Sequence, residues 1–302
     1  MSRRGLLLFA AMCVIWGIPY LMIRVAVREL APVTLVFLRT GIAALLLTPV
    51  AILRGEFRPL LARWRPLVAY TAIEVALPWV LLARAETKLT SSLTGLLIAA
   101  VPLVGALVVT LTGEREQLGG RRWIGLLVGI AGVAALVGLD FGQANIVALL
   151  EMGVVAVCYA IGPIVLSRFL SGEPALGVVA ASLVLTTIAY TPFALLRWPS
   201  SLPSAHVLES VLGLAVICTA VAFLVFFALI AEVGPARATV VTYVNPAVAG
   251  VLGVTLLGER LTLGMLVGFA LVLAGCVLAT GRSPDAVPDA PLSLEQEFSL
   301  SK

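Results

Sequence analysis

The sequence is poor in charge. Asp, Glu, Lys and Arg make up 12% of its 302 residues, where an ordinary soluble domain carries about 25%. It has only two lysines, Lys88 and Lys302, and one histidine, His206. Its four cysteines, Cys13, Cys158, Cys218 and Cys276, all lie inside apolar runs with no CxxC or Cys/His spacing. A disulfide scaffold and a zinc site are thereby excluded, and the thiols read as small buried hydrophobes. No Ser/His/Asp set, paired carboxylate or HExxH motif is present, so an intramembrane enzyme would lack its nucleophile, base or metal. No cofactor, metal or nucleic acid is implied.

What is present is apolar. Hydrophobic residues are 61% of the chain and the mean hydropathy is +1.12. A single soluble core stops growing near roughly 250–300 residues, so a water-soluble chain of this size could not hide so much apolar side chain. A soluble enzyme and a disordered protein are excluded. The solvent of this chain is mostly lipid, and its partners are the bilayer and a small-molecule solute.

A helix needs about 20 apolar residues to cross a hydrocarbon core of about 30 Å. Ten runs meet or approach this: 5–27, 33–53, 66–84, 89–112, 122–140, 145–168, 175–196, 207–231, 236–257 and 262–280. The connections 54–65 and 197–206 are the long ones and read as exposed turns. The N-terminus imitates a signal peptide, with Arg3 and Arg4 before an apolar stretch. That stretch runs on past Trp16-Gly17-Ile18-Pro19 without a small-residue cleavage site, so it reads as a retained first span. Residues 282–302, with Pro288, Pro291, Glu295 and Glu297, read as a disordered tail. With the N-terminus inside, the inner segments hold 13 Arg and Lys and the outer segments 6, Arg39 being within a span. That bias predicts an inner (plasma) membrane protein with both termini in the cytoplasm.

The chain also repeats. Thr48-Pro49-Val50-Ala51-Ile52-Leu53-Arg54 matches Thr191-Pro192-Phe193-Ala194-Leu195-Leu196-Arg197 at an offset of 143. Val101-Pro102 matches Asn245-Pro246 at 144, and Gly113-Glu114-Arg115 matches Gly258-Glu259-Arg260 at 145. Gly125 and Gly132 match Gly268 and Gly275 at 143. The halves are 1–141 and 142–281, five spans each. Five is odd, so the second half enters the membrane from the opposite side. Its loops have lost the arginines that would then face outward. Inverted repeats of this kind place a substrate site near the midplane between halves that rock about it.

Trp16-Gly17 in the first span, Pro32 with Arg39, Pro102 followed by Gly113-Glu114-Arg115, and Pro246 followed by Gly258-Glu259-Arg260-Leu261-Thr262 resemble the EamA-type drug/metabolite transporters. The resemblance covers about residues 5–281. It implies an all-α fold of ten transmembrane helices in two inverted five-helix repeats. It further implies a central cavity lined chiefly by spans 1, 3, 4, 6, 8 and 9, and the movement of amino acids, metabolites or drug-like molecules, often outward. Glu151 departs from the small apolar residue usual at its position.

Glu74 is the leading candidate for chemistry. A charge at a helix centre costs about 2.5–3.5 kcal/mol on insertion scales. On an α-helix, Tyr70, Thr71, Glu74 and Pro78 share a face, which gives a polar stripe on an apolar span. Glu74 reads either as a proton-titrating or cation-binding carboxylate or as a structural acid paired with another span. Its repeat counterpart falls near Cys218 or Thr219. Arg39 reads either as an anchor snorkelling outward or as a substrate ligand. Its depth differs from that of Glu74 by about 8 Å at 1.5 Å per residue. Pro102 and Pro246 predict two kinked helices facing each other. Thr239, Thr242, Tyr243 and Pro246 share a face that could line the cavity or pack, and Asn245 adjoins it. Trp16, Tyr20, Trp79 and Tyr159 are pocket or packing aromatics, and Thr219 completes the set of binding candidates.

The reading is a secondary transporter working by alternating access, an exporter of small organic solutes with Glu74 coupling it to protons. An uncoupled exchanger or facilitator is the alternative within the class, and a channel or intramembrane enzyme the alternative outside it. The charge bias predicts that green fluorescent protein fused after Lys302 fluoresces and that alkaline phosphatase fused there is inactive. The opposite pair of results would place the C-terminus outside.

Overall fold

The computed structural model describes residues 1–111, 120–138 and 145–280. The motif Gly113-Glu114-Arg115 and the 282–302 tail lie outside the described residues. Every regular element among the described residues is helical, as lipid demands of a chain that must satisfy its own backbone hydrogen bonds. Seven helices are long and apolar enough to cross a membrane: α1 (Arg3–Ala26), α2 (Pro32–Leu53), α3 (Phe57–Ala85), α4 (Ser91–Val108), α6 (Ile146–Phe169), α7 (Ala175–Leu196) and α8 (Ala205–Val233). Three shorter apolar helices are α5 (Trp123–Val137), α9 (Val241–Leu257) and α10 (Leu263–Ala279). α9 is shorter than its apolar run because the chain turns at Thr239-Val240, which separates Pro235–Ala238 from Val241–Leu257. The 54–65 connection is not a plain exposed turn. It winds into a short helix, Phe57–Leu60, and Leu60 is buried with Tyr70 and Leu170.

The helices start where capping chemistry predicts. Ser2 Oγ accepts from Gly5 N at 2.9 Å, Thr90 Oγ1 from Leu93 N at 3.2 Å, and Asn145 Oδ1 from Val147 N at 3.1 Å. Pro32 occupies the first turn of α2, where a missing N–H costs nothing. Carboxylates from elsewhere in the chain cap further N-termini. Glu259 takes hydrogen bonds from the N–H and hydroxyl of both Ser91 and Ser92, at 2.6–3.0 Å, at the start of α4. Glu56 accepts from Gly177 N at 2.8 Å at the start of α7. Glu29 accepts from Ser204 N at 2.8 Å ahead of α8, and these Ser204 bonds hold its carboxyl below the usual range. Negative charge at a helix N-terminus meets the positive end of the dipole.

Three helix pairs pack antiparallel. Along α5 and α10 the glycines meet backbone to backbone. A methyl on Gly132 would lie 2.6 Å from Val272 N, one on Gly275 2.5 Å from Gly129 N, and one on Gly268 2.6 Å from Leu136 N. In α4 and α9, Gly95 abuts Ala249 while Ser92 reaches Gly250. In α2 and α7, the Thr187 hydroxyl donates to that of Thr40 at 2.9 Å and Thr34 to the Arg197 carbonyl at 3.1 Å. Small residues and hydroxyls at these contacts let helices approach where no hydrophobic force between helices is available. Large apolar side chains face outward instead, among them Leu45, Leu53, Leu127, Ile188 and Leu196.

Two spans change winding. Thr71–Ala76 in α3 and Gly213–Val221 in α8 are π-helical. α1 is interrupted at Trp16-Gly17-Ile18 and restarts at Pro19, and Gly17 lies so close to Val248 of α9 that a methyl would come within 2.5 Å. α4 breaks at Ala99-Ala100, just ahead of Pro102. Pro246 lies inside α9.

Because the α5–α10 contact has no room for a side chain, Gly132→Leu forces the two backbones apart, and overpacking of this kind costs about 1–3 kcal/mol or more. The expected outcome is a clear fall in detergent melting temperature and in monodisperse yield. Gly120→Leu, at a glycine with open space around it, is expected to leave both unchanged.

Candidate functional site

Arg39 lies partway along α2 and is 9% exposed. It is buried within the bundle. Its Nε donates to Thr219 Oγ1 at 2.9 Å, and its guanidinium carbon sits 3.8 Å from the centroid of the Trp79 ring. A guanidinium on an indole face is a favourable cation–π pair, strongest where water is excluded. Thr219 can accept from Arg39 because its own hydrogen is committed to the Leu214 carbonyl at 2.7 Å. That carbonyl is five residues back, the spacing a π-turn supplies. The winding of α8 thus aims a neutral oxygen at the cation.

Glu74 lies in the π-turn of α3. Its carboxylate faces α6 at Gly162, where a methyl would overlap it. Oε2 is buried without a hydrogen-bond partner, and Glu74 makes no ion pair among the described residues. Arg39 and Glu74 are therefore separate charges. Tyr159 of α6 is within electrostatic reach of Glu74, Arg39 and Tyr20 of α1.

The shared α-helical face expected for Tyr70, Thr71, Glu74 and Pro78 is not realised. The π-turn adds residues to the turn and rotates the register within it. Thr71 donates to Ser182 Oγ of α7 at 2.9 Å, and Tyr70 is buried against Leu170, Val178 and Ala181.

The other candidates disperse. Trp16 packs on Phe226 and Phe223 of α8, with centroids 4.7 and 6.4 Å away. Asn245 is buried, and with its amide nitrogen turned to donate it bonds the carbonyls of Val241 at 2.9 Å and Cys13 at 3.1 Å. It ties α9 to α1. The Thr242 hydroxyl donates to the Thr239 carbonyl at 2.8 Å, and Tyr243 packs against the main apolar core. Glu151 pairs with Arg84 at 2.8 Å across α6 and α3. The structure therefore gathers Tyr20, Arg39, Glu74, Trp79, Tyr159 and Thr219 from α1, α2, α3, α6 and α8. α2 contributes the central cation, although the resemblance implied a lining without it.

Sequence reasoning missed Glu86. It sits between Arg84 and Lys88 at the end of α3 and reads as a surface loop acid, yet it is fully buried with neither carboxylate oxygen hydrogen-bonded. Arg24 donates to its backbone carbonyl, and Tyr20 and Arg39 lie within its electrostatic reach. Only the long-range contact of α1 with α3 reveals it.

The profile of the EamA-like transporter family matches residues 3–138 and again residues 147–281. The chain belongs to the EamA-like transporter family. Among its relatives is the protein named "Uncharacterized inner membrane transporter YedA" of Escherichia coli (strain K12). The two are 30% identical over 279 residues, covering 87% of this chain and 88% of that one. "Uncharacterized transporter YvbV" of Bacillus subtilis (strain 168) is 26% identical over 292 residues, covering 93% of each. A solved crystal structure with a TM-score of 0.64 and 20% identity covers 91% of this chain and shares its fold. This EamA-like chain is thus a membrane transporter and not an enzyme.

The Glu74–Gly162 contact gives a double-mutant test. Gly162→Ala alone is expected to lower the detergent melting temperature by displacing the carboxylate, and Glu74→Ala alone to change it by a different amount. The pair together should fall short of the sum, because removing the acid makes room for the methyl. Strict additivity would show that the two residues do not touch.

Proposed function

We propose that the chain is a secondary transporter of small organic solutes in the inner membrane, working by alternating access between two inverted five-helix repeats, with solute moved outward and Glu74 carrying the coupling proton. The observation that carries it is a buried carboxylate oxygen without a partner, set in a π-turn beside a cluster of charge and aromatics inside an apolar bundle. Ionisable groups held in that way inside membranes mark proton relays and solute paths.

The repeat reading is supported by helix direction. α5 and α10, α4 and α9, and α2 and α7 are each the same span of the two halves, and each pair runs antiparallel at its contact. Equivalent helices that oppose one another are what inversion through the membrane plane produces. The two π-turns fall at equivalent positions of the third and eighth spans, and the family profile matches once in each half. The acid occupies one half only, since the matching winding in α8 holds Ile217, Cys218 and Thr219 in its place. The name of the Escherichia coli relative supports the inner membrane, and the arginine bias supports cytoplasmic termini.

Proteoliposomes of wild type and Glu74→Gln, loaded with labelled amino acids and cationic dyes, test the coupling. Wild type is expected to move solute with a pH gradient. The Gln variant is expected to retain exchange and lose gradient-driven movement. Equal behaviour of the two proteins would make the carboxylate structural and leave an uncoupled exchanger.

A further inference from the structure

Among the described residues no acid forms an ion pair with Arg39. Placing a guanidinium inside a membrane bundle is costly unless it is paired, and arginines buried in proteins ordinarily take a carboxylate or phosphate in two parallel hydrogen bonds. Here the edge carrying Nε is used on a neutral hydroxyl, Thr219, whose proton already goes to Leu214. One flat face is covered by Trp79. The terminal nitrogens have no hydrogen-bond partner among the described residues, and no acid lies within ion-pairing distance of them. Glu86, whose charge reaches Arg39, accepts no hydrogen bond on either oxygen. The remaining groups within that reach are Tyr20, Tyr159 and Cys218. Each is neutral in its ordinary protonation state.

We infer that the counter-ion of Arg39 is the solute: its terminal nitrogens bind the carboxylate of a singly charged organic acid whose flat or apolar body lies among Trp79, Tyr20 and Tyr159. This rests on the transporter reading and gives it a substrate class. Trp79 and Thr219 fix the plane of the guanidinium so that its free edge is presented without further loss of side-chain freedom. One fork with a single free edge suits the two oxygens of a monoanionic carboxylate better than a doubly charged phosphate.

The test uses four solutes with one phenyl body: 3-phenylpropionate, which has the carboxylate alone; phenylalanine, which adds an amine; phenethylamine, which has the amine alone; and 3-phenylpropanamide, which is neutral. Equilibrium binding of labelled 3-phenylpropionate to purified wild-type protein is competed with the other three. Phenylalanine is expected to compete, and phenethylamine and the amide to compete at least tenfold less well. Arg39→Lys, which keeps the charge and loses the fork, is expected to weaken binding at least tenfold, and Arg39→Gln to abolish it. No binding of 3-phenylpropionate to wild type, or phenethylamine competing as well as phenylalanine, would overturn the proposal. So would binding unchanged in Arg39→Gln. Should the arginine variants fail to fold, the wild-type order of the four solutes decides alone. Counterflow of phenethylamine with no preference for carboxylates would remove the carboxylate assignment and leave transport standing. Carboxylate-selective binding with no counterflow would instead contradict the transporter reading.

Discussion

An ionised guanidinium inside an apolar bundle is the condition to which the middle of this structure is fitted. Arg39 is fixed by an indole face and a threonine hydroxyl, and each of those partners depends on an irregularity. Thr219 offers a lone pair because the π-turn of α8 brings its hydroxyl to the Leu214 carbonyl. Trp79 follows the π-turn of α3, which also turns Glu74 toward Gly162. Regular α-helices would have put these groups on other faces. The neighbouring spans add Tyr20, Tyr159 and Gly162 to this centre.

Around this centre the bundle is held by small and polar contacts more than by large apolar ones, whose side chains mostly face lipid. Glycines bring α5 and α10 together, hydroxyls link α2 to α7 and α3 to α7, and carboxylates cap helices across the fold. The caps from Glu259 and Glu29 join the two halves of the chain, α9 to α4 and α1 to α8. They sit at span ends.

The apolar runs, the repeat and the two charges within spans were legible in the sequence because each is a matter of composition and spacing. Glu259 stood out in the sequence only as part of the repeated Gly-Glu-Arg motif, and its cap on the distant start of α4 comes from tertiary contact. The register of α3 was not legible. Nothing local in Thr71-Ala72-Ile73-Glu74 announces a π-turn, so α-spacing wrongly grouped Tyr70 and Thr71 with Glu74. Glu86 was missed for a related reason. Flanked by Arg84 and Lys88 it looks solvated, and its burial comes from α1 folding over the end of α3. Asn245 beside Pro246 suggested a ligand, and its amide instead serves two backbone carbonyls. Tertiary contact decided each of these.

The central proposal is that the site at Arg39 opens in turn to each side of the membrane. Tyr159 is partly exposed and within electrostatic reach of Arg39, so Tyr159→Cys in a background with Cys13, Cys158, Cys218 and Cys276 replaced reports on access. A membrane-impermeant thiol reagent is applied outside intact cells and, separately, to inverted vesicles. Labelling from both sides is the predicted result. Labelling from neither side, or from one side whatever the conditions, would contradict alternating access at this site.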